Sequence, residues 1–243
     1  MILAAGKGKR LRPLTEEIPK SMLEINDLPI LYYHLTLFKK YNIKDVIVNL
    51  NHKPEKIKAY LGKEKFGVNI EYSYEKKLLG TAGAVKKAED FFSEDFFVIY
   101  GDIITDMNLE EAYEFHKQKG GITTLCLHKI TKNIPSSSII TLDDNQQVRK
   151  FIEKPEKKDL ELIKGKYKLV NSGIYIFKKS IFDYIPKNIF SDFALNIFPK
   201  LLDERQKIFG YTHEKCYWAE IGRLEKYNKI KKELENGNVK LNI

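Results

Sequence analysis

The chain has two cysteines among 243 residues. Cys126 and Cys216 stand far apart, with no Cys-x-x-Cys and no Cys/His cluster, which argues against a disulfide framework and against a structural zinc site. Buried thiols are the expectation. Long apolar runs are also missing: the longest, 28–38, is broken by His34 and Thr36 and is too short to span a bilayer. No charged leader precedes an apolar core at the amino terminus, which predicts a cytoplasmic protein. Acidic residues are outnumbered, 33 against 42 Lys and Arg for a formal net charge of +9, but the excess lysines are scattered. They read as a solvated surface, so neither nucleic acid nor a membrane is expected as a partner, and a homo-oligomer is left open. There is no internal repeat, low-complexity tract or linker. With 43% hydrophobic residues, the chain has enough apolar material for one core, and a single domain over 1–243 is expected.

What is present is an alternation of two periods. Short β-branched or aromatic runs at 1–4, 45–50, 68–74 and 96–100 predict strands, and the amphipathic stretches 28–41, 54–61, 81–90 and 109–119 predict helices. Alternating strands and helices imply an α/β fold: a Rossmann-like, doubly wound, mostly parallel mixed sheet flanked by helices, with its ligand at the carboxyl ends of the strands. Gly6 and Asp102 fall at such ends. The second half is richer in strands, at 122–128, 138–142, 148–152 and 169–177, with helices near 192–202 and 224–235. The most hydrophilic stretch, 154–168, reads either as a flap or as a plain surface helix.

The first twenty-two residues carry the strongest chemical signal. An apolar run enters a turn in which Gly6 and Gly8 let backbone N–H groups approach an anion, while Lys7, Lys9, Arg10, Arg12 and Lys20 supply positive charge. This is a phosphate cradle, and the implied ligand is a polyphosphate. It is not a dinucleotide fingerprint, because Leu11 stands at the third glycine, nor a Walker loop, because Gly-Lys-Ser/Thr after four spacers is absent. A second glycine-containing string, 75–85, follows the third strand. There Gly80 and Gly83 permit close approach and Thr81 is expected to cap the next helix, with neighbouring amides facing a ligand. A third string runs the strand 96–100 into Gly101 and Asp102. A carboxylate at the tip of a buried strand is costly unless it holds a cation, which makes Asp102 the candidate ligand for Mg²⁺. Asp106 is better explained as the cap of the helix beginning near Leu109.

Leu-Ala-Ala-Gly-x-Gly-x-Arg-Leu-x-Pro-Leu-Thr followed by Pro-Lys-Ser-Met resembles the signature of the sugar-1-phosphate nucleotidyltransferases, or NDP-sugar pyrophosphorylases. Further strings match in order: Leu-Gly-Thr-Ala-Gly-Ala, Gly101-Asp102, Phe-Ile-Glu-Lys-Pro, Val-Asn-Ser-Gly-Ile-Tyr and Trp-Ala-Glu-Ile-Gly, so the resemblance runs from Ile2 to about Tyr227. It implies the nucleotide-diphospho-sugar transferase fold, one catalytic domain without a C-terminal β-helix, and a Mg²⁺-dependent reaction of an NTP with a sugar 1-phosphate that yields an NDP-sugar and pyrophosphate. Arg10 and Lys20 would be catalytic and are expected to face solvent before substrate binds. Leu3, Ala4, Ala5, Gly6, Lys7 and Gly8, with Leu79, Gly80, Thr81 and Ala82, would bind the nucleotide. Glu153 would accept from sugar hydroxyls, Lys154 would pair with the 1-phosphate, Asn171 would contact the sugar, and Gly173 would leave room for it. Asp102 and Glu220 would hold the metal, Glu220 standing where the family usually has aspartate. The opening strand is also shorter than is usual there.

The pattern is closest to mannose-1-phosphate guanylyltransferases and similar hexose- or heptose-phosphate enzymes, with glucose-1-phosphate thymidylyl- and uridylyltransferases next. A cytidylyltransferase of a non-sugar phosphate and a catalytically silent regulatory homologue are the readings from other classes. The sugar-type strings disfavour the first, and intact Arg10, Lys20, Asp102 and Lys154 disfavour the second.

Overall fold

Apolar runs rich in β-branched residues, too short for helices, form the central strands of a first compact unit comprising Met1–Leu78, Ile99–Met107 and Cys216–Ile243. The structure is a computed structural model that describes residues 1–130, 138–156, 158–159, 167–213 and 215–243. In this unit Ile2–Leu3 lies parallel to Asp45–Leu50 and to the end of Phe96–Tyr100, with Leu3 opposite Asn49 on one side and Tyr100 on the other. Asp45–Leu50 pairs in parallel with Val68–Tyr74, which also carries the short antiparallel strand Glu64–Lys65. Parallel strands are covered on both faces, which is why Val46, Ile47, Val48 and Leu50 form one continuous buried run. Helix Ile30–Lys40 buries Leu31, Leu35, Leu37 and Phe38 on its apolar face, and helix Pro54–Leu61 opens on a proline, whose missing N–H would have had no helical partner there.

The same unit contains a pairing that the sequence did not suggest. Ile103–Thr105 and Trp218–Glu220 form a two-stranded antiparallel ladder. Its apolar residues Ile104 and Ala219 join Leu11, Leu23, Ile25, Ile30, Ile221, Ile230 and Leu234 in one buried cluster, the last two supplied by helix Leu224–Glu235. Asp106 does not cap the helix Leu109–Lys119. Its carboxylate accepts from the N–H groups of Tyr217, at 2.7 Å, and Asn242, at 3.0 Å, and Asn108 is the cap, accepting from Glu111 N–H at 3.1 Å.

The second unit, Leu79–Val98 and Asn108–Lys215, has a mixed sheet. Thr123–Ile130 runs antiparallel to Lys168–Phe177 and parallel to Ile208–His213, while Ile139–Leu142 pairs antiparallel with both Lys168–Phe177 and Val148–Ile152. Helices Gly80–Lys87 and Leu109–Lys119 belong to this unit. The helix expected at 192–202 is a π-turn, Phe193–Ile197, leading into an α-helix, Phe198–Asp203. Stacked rings fill the interior, with Phe177 on Phe193 at 4.7 Å and Phe92 on Phe96 at 3.9 Å between centroids. Of the hydrophilic stretch 154–168, residues 157 and 160–166 lie outside the described residues. Cys126 is buried, Cys216 is half-buried, and neither is in a disulfide. Among the described residues no helix is long and apolar enough to cross a membrane.

A buried histidine is expected to make this fold sensitive to acid. His213 Nε2 lies 2.8 Å from the Ser172 hydroxyl, and the His128 ring is 5.3 Å away. Burial, reinforced by His128, pushes His213 down to about 4. The unfolded chain takes up this proton below about 6.5 while the folded chain refuses it until about 4, so stability falls as pH drops through that window, on the order of 3 kcal/mol for this residue. The slope of Tm against pH between 7 and 5 should therefore be shallower in His213→Gln than in the wild type. Equal slopes would assign the acid sensitivity to other groups.

Candidate functional site

Gly6 and Asp102 follow the carboxyl ends of two adjacent parallel strands, as expected from the alternation of strands and helices. In the opening loop the N–H groups of Ala4 and Ala5 both donate to Asn49 Oδ1, at 2.6 and 3.2 Å. Asn49 Nδ2 donates in turn to the buried carboxylate of Glu75, at 2.7 Å. Gly8 has φ +58, and a side chain there would come within 2.9 Å of Thr15 Cγ2, so the position requires glycine for conformation and for space. Its carbonyl accepts from the Thr15 hydroxyl and from Leu11 N–H, both at 2.8 Å, which closes the loop onto the single turn Lys9–Leu11. Gly6, Lys7, Lys9 and Arg10 are exposed. A side chain at position 6 would meet nothing within 4 Å, so the space over this part of the loop is open.

The ladder between Ile103–Thr105 and Trp218–Glu220 brings the two candidate metal ligands to one end of the unit. Glu220 stands opposite Ile103, and Ile221 N–H donates to the Asp102 carbonyl at 2.9 Å. A side chain at Gly222 would lie 2.7 Å from Glu220 Oε1 and 3.6 Å from Arg10 Nη2, so the glutamate and arginine heads both border the gap that this glycine leaves. Lys20 is not open to solvent, contrary to expectation. Its ammonium is ion-paired with Asp102, the two side chains being only 17% and 15% exposed, because a half-buried carboxylate holds the nearest cation. Glu220 pairs with Lys226 at 3.0 Å. His34 is buried nearby and is pushed down to about 4 by that burial, against the opposing influence of the Ile103 backbone and the Asp102 charge. It adds no positive charge near neutral pH. Asp102 and Glu220 are hard oxygen donors of the number Mg²⁺ takes where phosphate oxygens and water complete its shell. Among the described residues no group of three or more His, Cys, Asp or Glu could form a fuller metal cage.

In the second unit, 79–83 is held differently from the sequence expectation. Thr81 does not cap its helix: its hydroxyl donates to Asp192 Oδ2 at 3.0 Å and accepts from Phe193 N–H at 2.9 Å. The amides of Ala82 and Gly83 do not face a ligand, because both donate to the Ser191 carbonyl, at 2.9 and 3.0 Å. Gly80 has to be small here, since a side chain would collide with that same carbonyl.

The strand pairs also gather the predicted sugar-phosphate residues. Ile139 is opposite both Ile152 and Val170, so the residues following them, Glu153 and Asn171, flank Ser138. Ser138 donates its hydroxyl to Glu153 and accepts Asn171 N–H on its carbonyl at 3.2 Å. Lys154 is exposed. Asn171 Nδ2 donates to Tyr175 Oη at 2.7 Å, and its Oδ1 accepts from Gly173 N–H at 3.0 Å. Gly173, at φ +70 in the register shift between Asn171 and Tyr175, is buried and serves the strand irregularity, which explains its size without reference to a sugar. Sequence reading missed Asn49, Glu75, Ser138 and Asp192. Asn49 left a signal as a polar residue inside an otherwise apolar parallel strand, while Glu75 and Asp192 stood in recognisable strings, Glu75 opening 75–85 and Asp192 preceding Phe193, without any sign of the contacts they make.

Residues 1–237 match the family described as Nucleotidyl transferase. The chain belongs to that family. This nucleotidyl transferase is 34% identical over 241 residues to the UTP--glucose-1-phosphate uridylyltransferase of Synechocystis sp., with 93% of this chain and 61% of that protein covered. It is 32% identical over 231 residues to the mannose-1-phosphate guanyltransferase of Yarrowia lipolytica, with 92% and 60% covered. The chain thus spans about three-fifths of the length of these curated relatives. Among solved structures it resembles HddC from Yersinia pseudotuberculosis, with a TM-score of 0.80 at 26% identity, covering 96% of this chain and 97% of that one.

Proposed function

We propose that this nucleotidyl transferase joins an NTP to a sugar 1-phosphate, releasing pyrophosphate, in a Mg²⁺-dependent reaction. The observation that carries the reading is the strand ladder that puts Asp102 and Glu220, with Lys20 and Arg10 beside them, at the end of the unit where the glycine loop lies open. An oxygen of the 1-phosphate forms a bond to the α-phosphorus as the bridging bond to the β-phosphate breaks, and pyrophosphate leaves with the electron pair. The nucleophile is already an anion, so no general base is needed, and the side chains act by alignment and charge. Exposed Arg10 and the free amides of the opening loop hold the β- and γ-phosphates. Lys20 serves the α-phosphate, and Leu3, Ala4 and Ala5 line the nucleoside. Lys154 takes the sugar phosphate, with Glu153 and Asn171 on the sugar. Bound Mg²⁺ on Asp102 and Glu220 would neutralise phosphate charge.

The resemblance favours a hexose or heptose 1-phosphate with GTP, and UTP or dTTP with glucose 1-phosphate is the alternative; the two named curated relatives divide between these readings. Pyrophosphate release measured over a panel of NTPs and sugar 1-phosphates, with and without Mg²⁺, tests the class and the choice together. Release that requires both substrates and the metal is expected. No release from any pair would overturn the reading. Within it, Lys154→Ala should raise the sugar 1-phosphate KM about tenfold or more while the NTP KM stays within about threefold, since a charge-assisted contact to phosphate is lost on one substrate only. The reverse pattern would exchange the two half-sites.

A further inference from the structure

Ala4 and Ala5 sit where the first strand ends, and both of their N–H groups point inward to a single side-chain oxygen. Only the Nδ2 end of Asn49 can face the Glu75 carboxylate, so the amide is oriented with Oδ1 turned to the loop. The register explains the contact: Asn49 is opposite Leu3, one residue before the loop begins. Glu75 is anchored in its own right, its N–H donating to the Leu50 carbonyl at 2.8 Å and its carbonyl accepting from Asn51 Nδ2 at 2.8 Å. The chain Glu75, Asn49, Ala4/Ala5 therefore ties the end of one strand to the backbone of the loop that follows its neighbour.

We propose that Asn49 is a positioning residue for nucleotide binding, oriented by Glu75. It does not touch the NTP. By engaging two consecutive loop amides it sets the path of the backbone into Gly6–Lys7–Gly8, whose N–H groups then meet phosphate without reorganising. The inference rests on the nucleotidyltransferase reading above and deepens its nucleotide half-site.

The network can be tested by reversing its polarity. Asn49→Asp sets a carboxylate against Glu75 and should raise the NTP KM about tenfold or more, with the sugar 1-phosphate KM unchanged. Glu75→Gln alone keeps a carbonyl that can accept from Asn49 and serves as the reference for the double variant. The double variant Asn49→Asp/Glu75→Gln restores a donor between the two positions and should return the NTP KM to within about threefold of wild type. A general loss of structure would move both KM values and the thermal unfolding temperature, and the swap would not recover one substrate selectively. An unchanged NTP KM in Asn49→Asp, or a double variant no better than Asn49→Asp, would overturn the proposal. Should Asn49→Asp fail to fold, Asn49→Ala, which introduces no repulsion, carries the test, and an unchanged NTP KM there would count against it. A wild-type protein that releases no pyrophosphate with any NTP would remove the underlying reading instead, and the proposal with it.

Discussion

Arg10→Ala is expected to lower kcat by about two to three orders of magnitude while leaving thermal unfolding close to wild type. The guanidinium is exposed and borders the gap at Gly222 beside Glu220, so its removal opens no core cavity. In the proposed reaction what is lost is charge aimed at phosphate oxygens as the bridging bond breaks, and losing one such preorganised donor typically costs that much. Lys20→Ala should fall as far in kcat, with a loss of stability as well, because it leaves the largely buried Asp102 carboxylate without its cation. Steady-state pyrophosphate release with saturating substrates checks both. Near-normal turnover in either variant would remove that residue from the reaction.

The second large effect concerns the carboxylates. Asp102→Asn should reduce activity by about three orders of magnitude, because a neutral amide is a poor ligand for Mg²⁺ and forfeits the charge that holds it. Raising Mg²⁺ should restore little. Glu220→Asp is expected to retain activity, because the shorter side chain is the one usual in the family. It should do so with a changed Mg²⁺ dependence, since its carboxylate withdraws from the Gly222 gap and from Lys226. A titration of activity against Mg²⁺ for both variants decides the matter. An inactive Glu220→Asp would mean that the backbone around 222 is adjusted to the longer acid, and an active Asp102→Asn would place the metal elsewhere.

The parts of this protein legible in its sequence are those with local causes. Strands 45–50, 68–74 and 96–100 and helices 54–61 and 109–119 were readable because their periodicity extends over enough residues to be distinctive. Ile103–Thr105 and Trp218–Glu220 were not, since three residues carry no period and their pairing joins distant parts of the chain. The same holds for the Lys20–Asp102 pair, which turned a lysine expected in solvent into a half-buried one. Thr81 illustrates the complementary error: a threonine at the start of a helix satisfies the local rule for a cap, but a carboxylate and an amide from 192–193 take its hydroxyl instead.

That last contact matters for anyone who would transplant loops between this chain and its relatives. Leu79 accepts from Ser191 N–H, Ser191 accepts from Ala82 and Gly83, and Thr81 exchanges hydrogen bonds with Asp192 and Phe193, so 79–83 and 191–193 behave as one interlocked cassette. A chimaera that imports the first segment from a relative without the second would leave several backbone groups unmatched. Recombination breakpoints should therefore fall outside both segments, with the pair inherited from a single parent.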